Sequence, residues 1–282
     1  MMKLFEAHQN FSQALLHKFT PEENRFYFKQ ILEILLGINP LNLALEPSQI
    51  LTEAQLNQIE SIILQLENDV PLQQLLGRVY FMNFELQVNT DVLIPRPETE
   101  ELVQWIFQTH SEPPKMVLDC GTGSGCIAIA LNKNWKSDSK IFALDLSVKA
   151  LKVAQKNALL NGCDIQFINR DMAKAWNLPH LDLIVSNPPY VLLEEQNQMH
   201  PRVLKHEPHL ALFSPQDDPV YFYRVIQQQA LIHLKPGGWL FFEMNPRCTE
   251  ELKEVFSDPV WQSFEFRNDT FGKVRFLRVQ KL

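Results

Sequence analysis

The chain has 282 residues, of which 45% are hydrophobic and 21% are charged, ordinary proportions for a globular protein with one large core or two smaller ones. No apolar run is long enough to predict a membrane span. The 26 basic and 33 acidic side chains leave a net charge of −7, which disfavours a protein that binds nucleic-acid backbones over a broad surface.

The first part of the chain has the apolar spacing of helices. Thr20-Pro21-Glu22-Glu23 is typical of a helix start, with an N-cap, a proline at the first position and an acidic first turn. Thr52 and Gln55 predict a second start. Apolar residues follow each start at helical spacing, at Phe26, Ile31, Leu32, Leu35 and Leu36 and at Leu56, Ile59, Ile62, Ile63 and Leu66. We therefore expect a small helical domain over residues 1–75.

The periodicity then changes to that of strands. Residues 77–92 alternate in a way that suits two short strands with a turn at Met82-Asn83, and we expect a hairpin linker over residues 76–92. A second domain is expected over residues 93–282.

This second domain alternates short apolar runs with helical patterns, which is typical of a parallel sheet with crossover helices. The predicted strands are residues 116–120, 141–145, 165–170, 181–186 and 239–244. Residues 264–266 and 274–279, with a turn at Gly272, predict an antiparallel hairpin at the edge of the sheet. The expected fold class is therefore α/β, with seven mostly parallel strands and a small helical amino-terminal domain.

The cysteines and histidines give no sign of a disulfide framework or a metal site. The four cysteines form no C-x-x-C pair and follow no secretory signal pattern, so we expect reduced thiols and a cytoplasmic protein. His200, His206 and His209 lack matching cysteine or carboxylate spacing, so no bound metal is expected. No long exposed apolar face is evident, and a monomer is expected.

A glycine-rich turn follows the first predicted strand of the second domain, with Gly121, Gly123 and Gly125 in alternate positions. Glycines let a backbone approach a ligand closely. The spacing lacks the last glycine of the dinucleotide-binding pattern, which disfavours a dehydrogenase. Asp119 is expected beneath this turn, where it would order the turn or neutralise a cationic group of a cofactor.

Polar residues end the next two predicted strands. Asp145 lies where an acidic side chain can bridge two ribose hydroxyls, and Asp171-Met172 lies where it can contact a purine. The carboxyl ends of neighbouring parallel strands line one crevice, so these residues predict a site for a nucleoside-containing cofactor.

The fourth predicted strand ends in Asn187-Pro188-Pro189-Tyr190. The asparagine side-chain oxygen and the Pro188 carbonyl can accept both hydrogens of a planar NH₂ group. The prolines fix φ and add no competing donors, and Tyr190 can lie against the bound group. A tight turn after a buried strand is the alternative, since Asn-Pro often starts turns. The neighbouring residues predicted to bind a cofactor favour the first interpretation, in which the asparagine and the proline carbonyl hold an NH₂ group.

With these motifs, the chain resembles class I S-adenosylmethionine-dependent methyltransferases, and more narrowly the HemK-type peptide chain release factor N5-glutamine methyltransferases. The Asn-Pro-Pro-Tyr tip is shared with enzymes that methylate adenine N6 or guanine N2, whereas Arg-Pro-Glu-Thr-Glu at residues 96–100 and the helical front domain are narrower to this family. The resemblance also runs through Pro71-Leu72-Gln73, Leu76-Gly77, residues 93–95, residues 119–125, Glu207-Pro208 and Ala211-Leu212.

The resemblance implies a class I, Rossmann-like fold, and it implies roles for individual residues. Asn187, Pro188, Pro189 and Tyr190 would hold the glutamine of the Gly-Gly-Gln motif of class 1 release factors, with Asn187, Pro188 and Tyr190 as catalytic residues. The helical domain would help to dock the release factor, and neither nucleic acid nor a membrane would be needed. S-adenosylmethionine, which becomes S-adenosylhomocysteine, would contact Gly121, Thr122, Gly123, Ser124, Gly125, Asp145, Met172 and Asn187.

Two other functions stay open from the sequence. One is a methyltransferase for an exocyclic amine of nucleic acid, which must unstack its base and usually needs a basic surface or a recognition domain. The other is a scaffold that keeps the cofactor without turnover. Arg96 also has two interpretations: it meets a carboxylate near the cofactor, or it pairs with Glu98 or Glu100.

Overall fold

The computed structural model describes residues 2–282, apart from the side chains of residues 137 and 216. The described residues form two compact units. The first contains the chain up to Gly77 together with His200–His206, and the second contains Arg78–Met199 and Glu207–Leu282. Among residues 2–282, no helix combines the length and the apolar character needed to cross a lipid bilayer.

The first unit is helical, with α1 (Leu4–Leu15), α2 (Pro21–Ile34), α3 (Asn42–Leu45), α4 (Glu53–Glu67), α5 (Leu72–Leu76) and the later α9 (Pro201–His206). The predicted starts at Thr20 and Thr52 are confirmed, because each threonine accepts the backbone N–H of the third helical residue, Glu23 or Gln55. Its core holds large side chains that are almost fully buried, among them Phe11, Leu15, Phe28, Ile31, Leu32 and Leu66.

Residues 200–206 were expected in the second domain, and the structure groups them with the helices instead. Lys205 Nζ lies 2.8 Å from Asp69 Oδ2, and the Arg202 guanidinium lies 4.2 Å from the centre of the Phe19 ring. The Gln74 side chain also donates to the His206 carbonyl at 2.8 Å. These contacts join residues more than a hundred positions apart, so no local pattern in the sequence announces them.

The hairpin has the predicted turn but is not a free linker. Its strands are β1 (Arg78–Phe81) and β2 (Phe84–Gln87), and they pair in antiparallel fashion around Met82 and the residue after it. Phe81, Phe84 and Leu86 are buried in the core of the second unit. The hairpin therefore belongs to that unit, because its apolar face needs the unit's helices for burial.

The remaining strands are β3 (Met116–Cys120), β4 (Lys140–Asp145), β5 (Ile165–Asn169), β6 (Leu181–Ser186), β7 (Leu234–Glu243), β8 (Trp261–Asn268) and β9 (Val274–Lys281). They form one seven-stranded sheet in the order β5-β4-β3-β6-β7-β9-β8. The strands from β5 to β7 in this order are parallel, and β9 and β8 are antiparallel. The predicted fold class is confirmed.

Helices cover both faces of this sheet. Successive strand residues such as Val117 and Leu118 belong to two different cores, as expected because side chains alternate across a sheet. The helices of this unit are α6 (Pro97–Thr109), α7 (Cys126–Trp135), α8 (Val148–Leu160), α10 (Tyr221–His233) and α11 (Thr249–Val255). One core includes residues of α6 and α7, and the other includes residues of α10 and α11.

The strand order reverses between β3 and β6. From β3 the chain proceeds to β4 and β5 on one side, and from β6 to β7 on the other. Ligands of open parallel sheets bind at the carboxyl ends of strands where such a reversal occurs. The sheet therefore brings the predicted strand-end residues to one place.

Candidate active site

The glycine-rich turn links β3 to α7 and needs glycine for two reasons. Gly121 and Gly125 have φ values of +78° and +84°, in the left-handed region that favours glycine. A Cβ atom on Gly121 would lie 3.3 Å from the Met172 methyl carbon, so a larger residue would crowd that side chain. The Gly121 backbone N–H also donates to the Leu144 carbonyl at 2.8 Å, which holds the turn against β4.

Asp119 lies beneath the turn and is fully buried. Its Oδ2 accepts hydrogen bonds from the Thr122 hydroxyl at 2.6 Å and from the Ala128 backbone N–H at 3.2 Å. Its Oδ1 is buried without a hydrogen-bond partner among the described residues. Burial raises the pKa of this carboxyl to about 7, because charge is poorly solvated there. Asp119 thus orders the turn with one carboxylate oxygen, and its other oxygen is left without a hydrogen bond.

Asp145, at the end of β4, also holds the turn. Its Oδ2 accepts the Gly123 backbone N–H at 2.8 Å, and its Oδ1 accepts the Ser147 N–H at the same distance. Burial raises the pKa of Asp145 above its usual value. The sequence predicted a ribose contact for this carboxylate, and the structure adds a second task, that of fixing the turn.

A cavity opens at the carboxyl ends of the parallel strands. Its walls include most of the predicted binding residues, namely Gly121, Gly123, Asp145, Met172, Asn187 and Pro189. The cavity is also lined by Leu93, Pro208 and Phe222. The parallel sheet has therefore brought together residues that are spread over a hundred positions of sequence.

Some predicted site residues are not among the described residues that line this cavity: Thr122, Ser124, Gly125, Pro188 and Tyr190. Three of them support its walls. Thr122 donates to Asp119, the Ser124 carbonyl accepts a hydrogen bond from Asn157, and Gly125 is the N-cap of α7. Asn157 was not predicted from the sequence. It is fully buried and also bonds both backbone groups of Gln87, so it joins the turn to β2.

A chain of hydrogen bonds holds the tip after β6. The Asn187 side-chain nitrogen donates to the Thr99 hydroxyl oxygen at 3.2 Å, and Thr99 donates to Glu243 Oε2 at 2.7 Å. The Tyr190 hydroxyl donates to the other oxygen of Glu243, at 3.1 Å. Because the amide nitrogen is engaged, the Asn187 oxygen is the end of the amide left to accept a bond from a ligand.

Glu243 and the role of Thr99 were missed by the sequence analysis. Glu243 ends β7 and is 2% exposed, and burial raises the pKa of its carboxyl. Thr99 lies in the first turn of α6 and is 2% exposed. The available signals were a single acidic residue ending an apolar strand and a threonine inside the Arg-Pro-Glu-Thr-Glu segment.

Arg96 pairs with neither of the two glutamates considered from the sequence. Its Nη2 lies 2.5 Å from Glu207 Oε1, and the other Glu207 oxygen accepts the Ile94 N–H at 3.1 Å. Glu100 instead accepts the Met82 N–H at 2.6 Å. The Glu207 side chain is only 1% exposed, so this ion pair is half-buried and links two segments next to the cavity.

The three neighbouring histidines are divided between the two units. His200 and His206 belong to the first unit and His209 to the second. The His206 ring nitrogen lies 3.1 Å from the Asn68 carbonyl, and the His209 ring packs against Phe213. Within residues 2–282, no three His, Cys, Asp or Glu side chains are grouped closely enough to hold a metal ion.

Known proteins resemble the chain in both units. Residues 6–77 match the model of the PrmC N-terminal domain, and residues 99–209 match that of the methyltransferase small domain. A release factor glutamine methyltransferase of Flavobacterium psychrophilum is 41% identical, over 95% of this chain and 96% of its own length. One from Bacteroides thetaiotaomicron is 36% identical, over 95% and 97%.

A solved structure shares the fold at lower identity. A methyltransferase from Pyrococcus furiosus is 17% identical, with a TM-score of 0.52 over 70% of this chain and 87% of that one. The identity of the first two relatives over nearly their whole length, together with the two domain matches, decides the family. This chain belongs to the release factor glutamine methyltransferases.

Proposed function

We propose that the protein transfers a methyl group from S-adenosylmethionine to the side-chain amide nitrogen of the glutamine in the Gly-Gly-Gln motif of class 1 peptide chain release factors. The observation that carries this proposal is the orientation of Asn187. Its nitrogen is bonded to Thr99, so its oxygen is left to accept an N–H at a cavity that also contains the glycine-rich turn. The names of the curated relatives support the same reaction.

The residues around the cavity fit the proposed cofactor. Gly121 leaves open the space that a Cβ atom would fill, and Asp145 offers a carboxylate for ribose hydroxyls. Met172 lines the same cavity, where it would contact the adenine. The Asp119 oxygen that has no hydrogen-bond partner would accept a hydrogen bond from a cationic group of the cofactor. We propose that residues 121–125, Asp145, Met172 and Asn187 hold the cofactor, which leaves as S-adenosylhomocysteine.

The bound cofactor would supply an electrophilic methyl group, and the protein has to make an amide nitrogen nucleophilic. An amide nitrogen reacts poorly because its lone pair is delocalised into the carbonyl. Asn187 Oδ1 and the Pro188 carbonyl would accept its two N–H groups and turn the lone pair toward the methyl carbon. The same two oxygens would stabilise the positive charge that develops on nitrogen.

The reaction would need no dedicated base to remove the proton from the methylated nitrogen. Once methylated, the nitrogen can lose its proton to water or to the oxygens that hold it. Tyr190 would exclude water from the bound amide, and its hydroxyl is already bonded to Glu243. Pro188 and Pro189 have no N–H that could compete for the acceptors.

The helical unit is proposed to dock the release factor. It has its own hydrophobic core, so it can present a stable surface to a protein. The match of residues 6–77 to the PrmC N-terminal domain supports a role specific to this family. We further propose that the protein acts as a monomer in the cytoplasm, where its substrate takes part in translation, and that no nucleic acid is required.

The test is methyl transfer from labelled S-adenosylmethionine to purified class 1 release factor, with DNA and ribosomal RNA as competing acceptors. Mass spectrometry of the release factor should locate one added methyl on the glutamine side-chain nitrogen of Gly-Gly-Gln. A release factor with that glutamine replaced by alanine is the matched control. Label in nucleic acid alone would favour the exocyclic-amine alternative, and label in no acceptor would favour the scaffold.

A further inference from the structure

The two ends of an asparagine amide have nearly the same shape but opposite hydrogen-bonding roles. At Asn187, the proposed function requires the oxygen to face the substrate, because the substrate amide offers N–H donors. With the amide reversed, an NH₂ group would face another NH₂ group, and the substrate would lose an acceptor. The site therefore needs a means of deciding which way the Asn187 amide points.

Thr99 limits that choice. A hydroxyl has one hydrogen, and Thr99 gives it to Glu243 Oε2 at 2.7 Å. Its oxygen can then only accept a hydrogen bond, and it accepts one from the Asn187 side-chain N–H at 3.2 Å. If the Asn187 oxygen were turned toward Thr99 instead, two acceptors would face each other in a partly buried place. The direction of the Thr99 hydrogen thus decides the direction of the amide.

Glu243 in turn decides the direction of the Thr99 hydrogen. An ionised carboxylate has acceptors only, so both hydroxyls that reach it must donate, and Thr99 and Tyr190 do so. Burial raises the pKa of Glu243, and the hydrogen bonds from Thr99 and Tyr190, together with the charge of Arg275, oppose that rise by favouring the ionised form. This carboxylate therefore holds one end of the Asn-Pro-Pro-Tyr tip directly, at Tyr190, and the other end, Asn187, through Thr99.

From this geometry we infer that Thr99 and Glu243 are positioning residues that hold the Asn187 amide with its oxygen toward the substrate, and the inference rests on the proposed function. Neither residue is among those that line the cavity, and each would act on the substrate only through Asn187. Glu243, at the end of β7, fixes the direction in which Thr99 donates, and Thr99, in the first turn of α6, fixes the direction of the Asn187 amide after β6. Shape alone would be kept by a valine in place of Thr99, but polarity would not.

The experiment compares Thr99→Val, Thr99→Ser and Glu243→Gln with the wild-type enzyme in release factor methylation. We expect Thr99→Val to lower kcat roughly ten- to hundredfold, the range that one misdirected buried hydrogen bond produces. Its dissociation constant for S-adenosylmethionine, measured by calorimetry, should change less than about twofold, since Thr99 does not line the cavity. Thr99→Ser keeps the hydroxyl and should restore most of the rate.

A second measurement tests whether the two residues act along one route. Glu243→Gln should also lower kcat, because a carboxamide cannot accept from both hydroxyls. If both act through Asn187, the double variant Thr99→Val/Glu243→Gln should lose less than the product of the two single losses. Thr109→Val is the matched control, since Thr109 lies in the same helix and its hydroxyl donates to the Trp105 carbonyl.

The outcomes separate this inference from the proposed function. A wild-type enzyme that does not methylate release factor would defeat the proposed function. A wild-type enzyme that does, beside a fully active Thr99→Val, would overturn the positioning role alone. Equal losses of cofactor affinity and kcat, or a Thr99→Ser variant as slow as Thr99→Val, would show a merely structural role. Thermal unfolding of each variant checks that the proteins compared are folded.

Discussion

Arg96 and Glu207 are 111 positions apart in the chain, yet their guanidinium and carboxylate groups lie 2.5 Å apart. The other oxygen of Glu207 accepts the Ile94 N–H, so a single carboxylate holds the segment before α6 in two ways. Leu93 and Pro208, next to these residues in the chain, both line the cavity. The ion pair therefore ties together two segments that shape the site.

This ion pair should be energetically coupled. We expect Arg96→Met and Glu207→Gln each to lower the free energy of unfolding, and the double variant to lose less than the sum. The coupling energy should fall within about 0.5–3 kcal/mol, as for residues in direct contact, toward the lower half because Arg96 is partly exposed. Urea unfolding of the four proteins measures it. Losses that add to within about 0.5 kcal/mol would show that the pair contributes nothing jointly.

Asn187 and Asp145 should affect different steps. Asn187→Ala removes the proposed acceptor for the substrate amide and should abolish methylation while keeping much of the affinity for S-adenosylmethionine. Asp145→Ala should mainly weaken cofactor binding, because it removes a carboxylate of the cavity and also the acceptor of the Gly123 N–H. Calorimetry and single-turnover methylation measure the two effects separately. Comparable losses in both measurements for both variants would contradict this division.

Gly121 should be intolerant of any side chain. Gly121→Ala places a Cβ atom 3.3 Å from the Met172 methyl carbon and forces alanine to adopt a φ of +78°. We expect a clear loss of cofactor affinity, because Met172 must shift within the cavity wall. Gly162→Ala is the control: it has a similar φ of +64°, but its Cβ atom would meet nothing within 4 Å. Both variants should lose stability, and only Gly121→Ala should bind the cofactor less tightly.

Asp119 should make stability depend on pH. Its pKa is raised from 3.8 to about 7, so the folded state holds a proton that the unfolded state releases. This contribution is complete below about pH 4 and is lost as the pH rises through about 7. An asparagine in its place would not titrate, so Asp119→Asn should gain stability relative to the wild type between about pH 5 and about pH 8. Urea unfolding without cofactor at both pH values tests this. An unchanging difference between the two proteins would mean that Asp119 does not titrate in this range.

Local patterns in the sequence were enough to predict the helix starts, the fold class and the glycine-rich turn. The capping residues Thr20 and Thr52, the alternation of apolar runs and the glycine-rich turn each act over a few residues, so they can be read without knowing the fold. Parallel strands place their carboxyl ends at one edge, which is why the sequence also brought Asp145 and Asn187 to one site.

Only the tertiary structure decided which side chains meet at close range. Thr99 bonds a partner 88 positions away in Asn187 and another 144 away in Glu243, and Arg96 finds Glu207 rather than a neighbour on its own helix. The grouping of residues 200–206 with the helical unit likewise depends on contacts between distant parts of the chain. A hydrogen bond tolerates changes of only a few tenths of an ångström in the distance between donor and acceptor. Such positions are set by the packing of whole elements, and the spacing of residues along the chain does not specify them.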